Sequence, residues 1–415
     1  MMKENITKSL PVSKEMVYKS YLNVKKKDGC AGIDKESIEG FEANLSGNLY
    51  KIWNRMSSGS YFPLPVRRQL IPKKQGGTRP LGIPTVSDRI AQGVVKDYLE
   101  PTLERCFHQS SFGYRPGRSA HAALAQCKKN CASYSWVIDL DIKGFFDNIN
   151  HEKLLAMVAY HNDEKWVSLY VKRWLEAGVE QEDGSIAQRT KGTPQGGVIS
   201  PLLSNIYLHH GFDKWIEKYY PSNPFERYAD DIVVHCRSKE EAENLLESIR
   251  ERLLKFDLEL HSEKTKIVYC KDDLRKDNHL QESFTFLSYS FQPRSYKADN
   301  KSEKKMKIIF SAAICNAAKA SIREAIRKIL NPNYSTFSLE CFAEMLNPKL
   351  RGWYNYYSKY NRWVLFYEFR YLNKLIRRWI RTKYKLYSKK GQWSKYKHLL
   401  KLNPDLFYHW KMGVG

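Results

Sequence analysis

The chain has 415 residues, 42% of them hydrophobic and 13% aromatic, which is enough to bury a sizeable core and excludes global disorder. Lys and Arg number 69 against 45 Asp and Glu, a formal net charge of +24. No run of 18 or more apolar residues occurs and the N-terminal segment lacks an apolar stretch, so neither a membrane span nor a signal peptide is predicted.

The sequence of residues 1–131 predicts helices interrupted by one β-hairpin. Two β-like runs, Arg68–Ile71 and Arg79–Ile83, flank the pair Gly76-Gly77, as expected for two strands joined by a turn. Residues 1 to about 60 are predicted to be mostly helical, with a glycine-containing break around Asp28–Asp34, and the spacing of apolar residues predicts helices over 85–107 and 119–131.

The rest of the chain mixes strands and helices before a helical end. Trp136–Ile142 alternates apolar and acidic residues, Phe225–Cys236 holds two apolar runs around a two-carboxylate tip, and Phe284–Phe291 predicts another strand. Helices are predicted over residues 151–178, 198–220 and 240–256. A linker rich in Lys, Asp and Asn is expected near 293–305, with only helices after it. The order predicts an α+β body followed by a helical region.

The positive charge is concentrated near the C-terminal end of the sequence. Residues 301–415 contain 25 Lys and Arg against 6 Asp and Glu, a net of +19, which leaves +5 for residues 1–300. Aromatic residues are interspersed through the same basic segment. A polyanion partner, nucleic acid above all, is therefore expected for this part of the chain.

Acidic residues occur at two strand ends. Asp230-Asp231 forms the tip between two apolar runs, where adjacent carboxylates repel each other unless a cation lies between them. Asp139 and Asp141 alternate on one strand, so both project from the same face. Two such strands side by side would form a carboxylate site for Mg²⁺ and in-line phosphoryl transfer.

Nine sequence blocks together resemble a reverse transcriptase of the group II intron type. In chain order the blocks are GCAGID (Gly29–Asp34), FPLPVRRQLIPK (Phe62–Lys73), RPLGIPTVSDRIAQ (Arg79–Gln92), SFGYRPGRSAHAAL (Ser111–Leu124), IDLDIKGFFDNINH (Ile138–His151), GTPQGGVISPLLSNIYL (Gly192–Leu208), RYADD (Arg227–Asp231), LELHSEKTKIV (Leu258–Val268) and LRGWYNYY (Leu350–Tyr357). A single YADD is a weak signal, whereas nine blocks in the family order are a specific one.

The resemblance implies an α+β right-hand polymerase with an antiparallel palm sheet. It implies fingers with an N-terminal extension over residues 1–135, a palm over 136–295, and a basic helical thumb or maturase-like domain over 296–415. The expected activity is RNA-directed DNA synthesis from deoxynucleoside triphosphates, with Mg²⁺ as the cofactor and Mn²⁺ as a substitute.

The resemblance also assigns roles to single residues. Asp141, Asp230 and Asp231 would be the catalytic metal ligands, joined by the Ile142 carbonyl, while Asp139 either ligates or only shapes the site. The expected nucleotide pocket comprises Lys73, Arg79, Phe145, Gln195 and Lys264. Within it, Phe145 would reject the ribose 2′-hydroxyl, with Phe146 behind it in the core.

Nucleic-acid contacts are expected from two groups of basic residues. Arg115 and Arg118 would touch the template backbone or brace the fingers through ion pairs. In the basic C-terminal region the expected phosphate contacts are Arg377, Arg378, Arg381, Lys383 and Lys385.

Three biological functions are compatible with these motifs. FLSY (Phe286–Tyr289) has Ser288 where the family has glycine, and no nuclease module is expected after the last block. These departures favour a stand-alone bacterial antiviral-defence enzyme that copies a structured noncoding RNA into complementary DNA. The alternatives are a group II intron maturase that also copies its intron, and an RNA-binding splicing factor without polymerase activity.

The expected partners are the noncoding RNA template and the RNA–DNA hybrid that copying produces, with no membrane. Eight cysteines at irregular spacing predict no disulfide framework. The bacterial cytoplasm is therefore the expected location.

Overall fold

The structure is a computed structural model that describes residues 9–72, 77–297, 306–331 and 336–415. Two compact units divide the chain. Unit 1 comprises Met1–Asn130 and Trp136–Ile267, and unit 2 comprises Cys131–Ser135 and Val268–Gly415. The three-domain division expected from the sequence stays a prediction. Across the described ranges, every helix is too short or too polar to cross a membrane.

Helices supply most of unit 1. They are α1 (Lys14–Lys27), α2 (Ile38–Glu42), α3 (Leu45–Ser57), α4 (Val86–Cys106), α5 (Ala120–Ser133, whose last residues belong to unit 2), α6 (Phe145–Asn148), α7 (His151–His161), α8 (Lys165–Glu176), α9 (Ser200–Leu208), a π-helical segment (His209–Asp213), α10 (Lys214–Tyr219) and α11 (Lys239–Leu254). Their starts follow from the sequence: the Thr85 side chain caps α4, and Ser238 with Glu241 forms a capping box at α11.

Two sheets complete unit 1. The first has the order β2 (Thr78–Ile83), β1 (Val66–Pro72), β4 (Val179–Glu180) and β5 (Ile186–Ala187), and contains the predicted hairpin as an antiparallel β1–β2 pair. The second has the order β6 (Phe225–Tyr228), β7 (Asp231–Cys236), β3 (Trp136–Asp141) and β8 (Lys266–Tyr269, whose last two residues belong to unit 2). In β3 and β7 nearly every residue is buried except the aspartates, which places the apolar residues in the core and the acidic residues at one end.

Unit 2 begins with an antiparallel sheet and ends in helices. The sheet has the order β11 (Met306–Ile314), β10 (Tyr289–Lys297) and β9 (Phe284–Phe286). The helices are α12 (Asn316–Ile329), α13 (Leu339–Tyr357), α14 (Arg362–Lys383), α15 (Lys389–Leu402) and α16 (Tyr408–Lys411). Buried Trp379 and Phe342 lie at the centre of this helical core. The predicted α+β fold class is confirmed.

Several element predictions were wrong in detail. The helix expected over 151–178 is two helices, and the stretch 198–220 contains a π-helical segment between two α-helices. Phe284–Phe291 is a hairpin, because Leu287 and Ser288 adopt positive φ and reverse the chain. The linker expected near 293–305 includes the end of β10, and a strand follows it at Met306–Ile314, where only helix was expected. Apolar periodicity reports burial but does not reveal single-residue breaks of this kind.

Candidate active site

The acidic residues expected to bind metal meet at one end of the β6–β7–β3 sheet. Asp141, the last residue of β3, lies directly opposite Asp231, the first residue of β7, in the antiparallel register. Opposite residues of such a pair project from the same face, with Cβ atoms roughly 4.5–5.5 Å apart. Asp230 lies in the two-residue turn that joins β6 to β7. The structure therefore brings Asp141 together with two adjacent aspartates that follow it about 90 residues later in the sequence.

The β6–β7 turn is held by a buried polar network. Ala229 adopts a left-handed φ of 59°, and its carbonyl accepts a hydrogen bond from Arg227 Nη1 at 3.2 Å. The Arg227 guanidinium is completely buried and pairs with buried Asp213, with Nε–Oδ1 and Nη2–Oδ2 distances of 2.7 and 2.5 Å. Gly113 packs directly on the turn, where a Cβ would come within 2.4 Å of the Ala229 nitrogen. This network fixes the backbone from which Asp230 projects.

Burial and like charge act together on these acids. Burial raises the pKa of Asp230, and the negative charge of Asp141 raises it further, whereas the positive charge of Arg79 lowers it. Burial likewise raises the pKa of Asp139 to about 7, and the charge of Asp141 adds to this shift. The carboxylates therefore lie close enough to repel each other, which favours a bound cation.

Two lysines lie beside the acidic residues. Lys264 Nζ is 3.2 Å from Asp141 Oδ2, and both side chains are about half exposed. The positive charge of Lys266 lowers the pKa of Asp139. The sequence prediction included Lys264 but missed Lys266, the first residue of β8, which belongs to the same LELHSEKTKIV block.

The donor set fits a hard divalent cation. Carboxylate oxygens, a backbone carbonyl and water are the ligands that Mg²⁺ prefers. Ile142 forms an isolated antiparallel bridge with Leu260, in which the neighbouring peptide groups of Asp141 and Lys143 make the hydrogen bonds. The Ile142 carbonyl therefore points away from Leu260, in an orientation compatible with the predicted ligand role.

The predicted order of the two phenylalanines after β3 is wrong. Phe145 is 2% exposed and belongs to the core, whereas Phe146 is only partly buried. Gly144 adopts a left-handed conformation and starts the short helix α6, which turns Phe145 inward. The two rings meet edge to face with their centroids 5.2 Å apart. Phe146 is therefore the more accessible of the two rings.

The glycine-rich loop around Gln195 connects α6 to the β1–β2 hairpin. The Thr193 N–H donates to the Phe146 carbonyl at 2.8 Å, and the Gly82 N–H donates to the Gln195 carbonyl at 2.8 Å. Gly196 has a φ of 121°, and a Cβ there would lie 2.6 Å from the Gly82 carbonyl oxygen. The loop thus carries Gln195 between the turn after β3 and strand β2.

A polar cavity of about 320 Å³ adjoins Gln195. Its basic and amide lining residues are Arg68, Gln181, Gln188, Arg189, Lys191 and Gln195. Arg189 Nη1 is buried there without a hydrogen-bond partner among the described residues. The sequence prediction included only Gln195 from this group.

Two further residues, Lys73 and Arg79, were predicted to line the nucleotide pocket. Lys73 lies outside the described residues. Arg79 is exposed on β2, opposite Ile71, and its charge acts on Asp230 and on Tyr114. Tyr114 was missed: its pKa is raised by burial and by the charge of Asp230, and its ring centroid lies 6.2 Å from that of Tyr228.

Arg115 was wrongly predicted to bind nucleic acid. Its side chain is buried and makes a bidentate ion pair with Glu104, with an Nη2–Oε1 distance of 2.6 Å. Nη1 donates to the carbonyls of His108 and Ser111 at 2.6 and 2.7 Å. The guanidinium N–H groups of Arg115 are bonded to other residues of unit 1. This agrees with the alternative prediction, in which Arg115 braces this region through an ion pair. Arg118 is partly exposed and donates to Gln109.

The basic residues predicted in the C-terminal region belong to unit 2. Arg378, Arg381, Lys383 and Lys385 are exposed, whereas Arg377 is partly buried over the Trp393 ring, 5.0 Å from its centroid. The same helix, α14, also exposes Trp363 and Tyr367, which the sequence prediction missed. The guanidiniums of Arg362 and Arg370 lie 5.1 and 5.2 Å from these two ring centroids.

Ser288 occupies a position that favours glycine. Its φ is 65°, in the turn between β9 and β10. Burial raises the pKa of Tyr357, and a hydrogen bond with the Ser288 side chain opposes that rise. The Tyr356 hydroxyl also donates to the Leu287 carbonyl at 2.9 Å. The FLSY departure is therefore accommodated within unit 2.

Comparisons with known proteins identify families and relatives that the chain resembles. Residues 71–291 match the family described as reverse transcriptase (RNA-dependent DNA polymerase), and residues 319–398 match the group II intron maturase-specific domain. The chain is 34% identical over 265 residues to the group II intron-encoded protein LtrA of Lactococcus lactis, covering 63% of this chain and 42% of LtrA. It is also 34% identical over 285 residues to protein YkfC of Escherichia coli, covering 59% of this chain and 73% of YkfC.

Proposed function

Because the chain belongs to the group II intron-type reverse transcriptase family, we propose that it is an active RNA-directed DNA polymerase. The observation that carries the proposal is the placement of Asp141 opposite Asp231, with Asp230 in the adjoining turn. A protein that only binds RNA has no need to cluster carboxylates where burial, and then the charge of Asp141, raises the pKa of Asp230.

We propose that Asp141, Asp230 and Asp231, with the Ile142 carbonyl, hold Mg²⁺, for which Mn²⁺ substitutes. When bound, the metal would lower the pKa of the primer 3′-hydroxyl and stabilise the charge on the leaving pyrophosphate. The buried Arg227–Asp213 pair would keep the turn in place while charge develops, because a fixed site needs no reorganisation during reaction.

The proposed nucleotide pocket surrounds this acidic end of the sheet. Arg79 and Lys264 would contact the triphosphate, since each acts electrostatically on one of the aspartates. Phe146 would exclude the ribose 2′-hydroxyl, in place of the buried Phe145. Gln195 would contact the incoming nucleotide from the loop that is hydrogen-bonded to both α6 and β2. Lys73 retains the triphosphate role that the family resemblance implies.

We propose that unit 2 binds a structured RNA, which serves as the template. Its supporting feature is the exposed face of α14, where basic residues are exposed together with two aromatic rings. Guanidinium groups bind phosphates, and exposed rings stack on unpaired bases. The face includes Arg362, Trp363, Tyr367, Arg370, Lys374, Arg378 and Arg381.

Two biological settings fit this activity. One is a stand-alone enzyme that copies a noncoding RNA during antiviral defence, which the FLSY sequence favours. The other is an intron maturase that assists splicing and copies its intron, which the match of residues 319–398 to a maturase-specific domain favours. The two differ in the RNA that the protein carries in cells.

The experiment is sequencing of RNA and DNA that co-purify with wild-type and Asp230→Ala/Asp231→Ala protein, from cells with and without phage. Complementary DNA of a noncoding RNA, present only with the wild type, would support the defence enzyme. Enrichment of an excised intron would support the maturase. RNA bound equally by both proteins, with no DNA and no primer extension in vitro, would contradict the polymerase proposal.

A further inference from the structure

A second cavity, of about 480 Å³, lies in unit 1 on the surface formed by α7, the π-helical segment and the end of α11. Its described lining residues are Lys153, Ala156, Met157, Tyr160, His210, Lys214, Lys255 and Phe256. None of these described residues belongs to the acidic cluster or to the proposed nucleotide pocket, so the cavity is a separate feature of the fold.

The π-helical segment shapes one wall of this cavity. Arg252, on α11, donates to the carbonyls of His210 and Gly211 at 2.8 and 2.9 Å, which satisfies backbone groups of the wider turn. The His210 Nε2 atom lies 2.8 Å from His161 Nε2, so a hydrogen bond between the two imidazoles fixes the ring. π-Helical turns are rare in proteins, and those that do occur are often found at functional sites.

Aromatic rings line the cavity edge. The Tyr160 ring is 72% exposed and lies edge to face with His210, with a centroid distance of 5.6 Å. Burial and the neighbouring histidines lower the pKa of His210 to about 4, so its ring is neutral at pH 7. Met157 and Phe256 supply apolar surface beside these rings. Such a combination offers π-faces and apolar contact to a planar base.

The rim of the cavity is positively charged. Lys153, Lys214 and Lys255 line it, and the described lining residues include no carboxylate. Lys153 is paired with Asp257, with an Nζ–Oδ2 distance of 2.6 Å, while Lys214 Nζ lies 5.5 Å from the Tyr160 ring centroid. Lysines around an aromatic surface are complementary to a base that carries phosphate groups.

We propose that this cavity binds one unpaired nucleotide of the RNA partner. Its base stacks on the exposed Tyr160 ring and meets the His210 ring edge to face, and its flanking phosphates contact Lys214 and Lys255. A cavity of this size suits a single nucleotide, whereas an amphipathic helix needs a groove for several anchors spaced along its length. The inference rests on the proposed function only in taking RNA as the partner.

A matched pair of variants tests the proposal. Tyr219 is 60% exposed and Lys218 Nζ lies 5.1 Å from its ring centroid, so this pair repeats the Tyr160–Lys214 chemistry outside the cavity. Full-length wild type, Tyr160→Ala, Lys214→Ala, Tyr219→Ala and Lys218→Ala would be titrated into a fluorescent single-stranded oligouridylate and a fluorescent RNA duplex. The oligouridylate would also carry 4-thiouridine, so that ultraviolet cross-links can be mapped by mass spectrometry.

We expect Tyr160→Ala to weaken single-strand binding by about 5- to 150-fold, the value of one base–aromatic stack. Duplex binding should be unchanged in Tyr160→Ala, and Tyr219→Ala should match the wild type. Cross-links should map to peptides containing Tyr160 or His210. Equal affinities of Tyr160→Ala and Tyr219→Ala, with cross-links elsewhere, would overturn the inference. Binding of an acidic peptide that Tyr160→Ala abolishes, with RNA binding unchanged, would overturn it too.

Primer extension separates this inference from the proposed function. On an RNA template with an annealed DNA primer, Tyr219→Ala, which lies outside the cavity, should extend at the wild-type rate. If the wild type extends the primer but the cavity takes no cross-link, the nucleotide site is wrong and the polymerase proposal stands. If the wild type neither binds RNA nor extends the primer, both fail.

Discussion

Asp141 and Asp231 face each other at the last paired position of β3 and β7, although 90 residues separate them in sequence. Neither strand alone forms a site, since each contributes one carboxylate at its end. The β6–β7 turn adds Asp230, and the buried Arg227 beneath it fixes the turn. The acidic cluster is therefore a product of strand register.

Replacing both turn aspartates should separate catalysis from RNA binding. Asp230→Ala with Asp231→Ala removes charge stabilisation from the reacting phosphates, so primer extension should fall by at least about 10²-fold. RNA affinity should persist because the basic surface of unit 2 is untouched. Exposed Asp163→Ala serves as the control and should retain activity. Parallel loss of RNA affinity and extension in the double variant would refute this division of labour.

The two phenylalanines of α6 should behave differently. Phe146→Ala should raise incorporation of ribonucleotides relative to deoxynucleotides by at least about tenfold, because steric exclusion of a single group contributes on that scale. Phe145→Ala should instead cost about 3–5 kcal/mol of unfolding free energy, as expected for truncation of a buried ring. Single-nucleotide incorporation kinetics and urea unfolding measure the two effects. If sugar selectivity changes only in Phe145→Ala, Phe145 is the residue that excludes the 2′-hydroxyl, as predicted from the sequence.

Breaking the buried ion pair below the turn should destabilise unit 1. Burial raises the pKa of Asp213, but the charge and hydrogen bonds of Arg227 together with those of His209 outweigh it, and the net pKa is lowered. Arg227→Met would leave that carboxylate buried without its guanidinium partner, at a cost of about 3–5 kcal/mol. The double variant Arg227→Met/Asp213→Leu should recover part of the loss, as urea unfolding would show. A double variant no more stable than the single one would contradict this account.

Neutralising two arginines on α14 should weaken RNA binding and flatten its salt dependence. Each phosphate contact contributes about 0.7–0.9 to the slope of log affinity against log salt, so Arg378→Gln/Arg381→Gln should lower the slope by about 1.4–1.8. The matched control neutralises two exposed lysines of unit 1, Lys172 and Lys239, and should leave the slope unchanged. If both double variants have the same slope of log affinity against log salt, these α14 arginines do not contact RNA phosphates.

Unit 2 should lose stability in acid through His409. Burial lowers the pKa of His409 to about 3, and its Nε2 lies 2.6 Å from Asn373 Oδ1. The unfolded chain binds a proton near pH 6.5 and the folded chain does not, so this contribution is complete above pH 6.5 and is lost as pH falls toward 3. The unfolding free energy should drop by about 1.4 kcal/mol per pH unit between pH 6 and 4. Urea unfolding at several pH values should show a shallower slope in His409→Gln, and an unchanged slope would contradict the assignment.

Local sequence determined much of this protein. The alternation in WVIDLD and the apolar run in DIVVHC predicted two buried strands with acidic ends, and the β1–β2 hairpin and most helices followed from turn residues and apolar spacing. The motif order indicated the family, and with it the identities of Asp141, Asp230 and Asp231.

Only the tertiary structure decided which side chains face solvent and which are buried or paired with other residues. Phe145 and Phe146 are identical in local chemistry, and the left-handed Gly144 turns one of them into the core. Arg115 has the sequence context of a nucleic-acid contact, yet a bidentate pair with Glu104 occupies it. The π-helical turn that carries His210 has no periodicity to predict it, because it depends on donors from α11. Burial and partner choice are long-range properties, and a local pattern does not contain them.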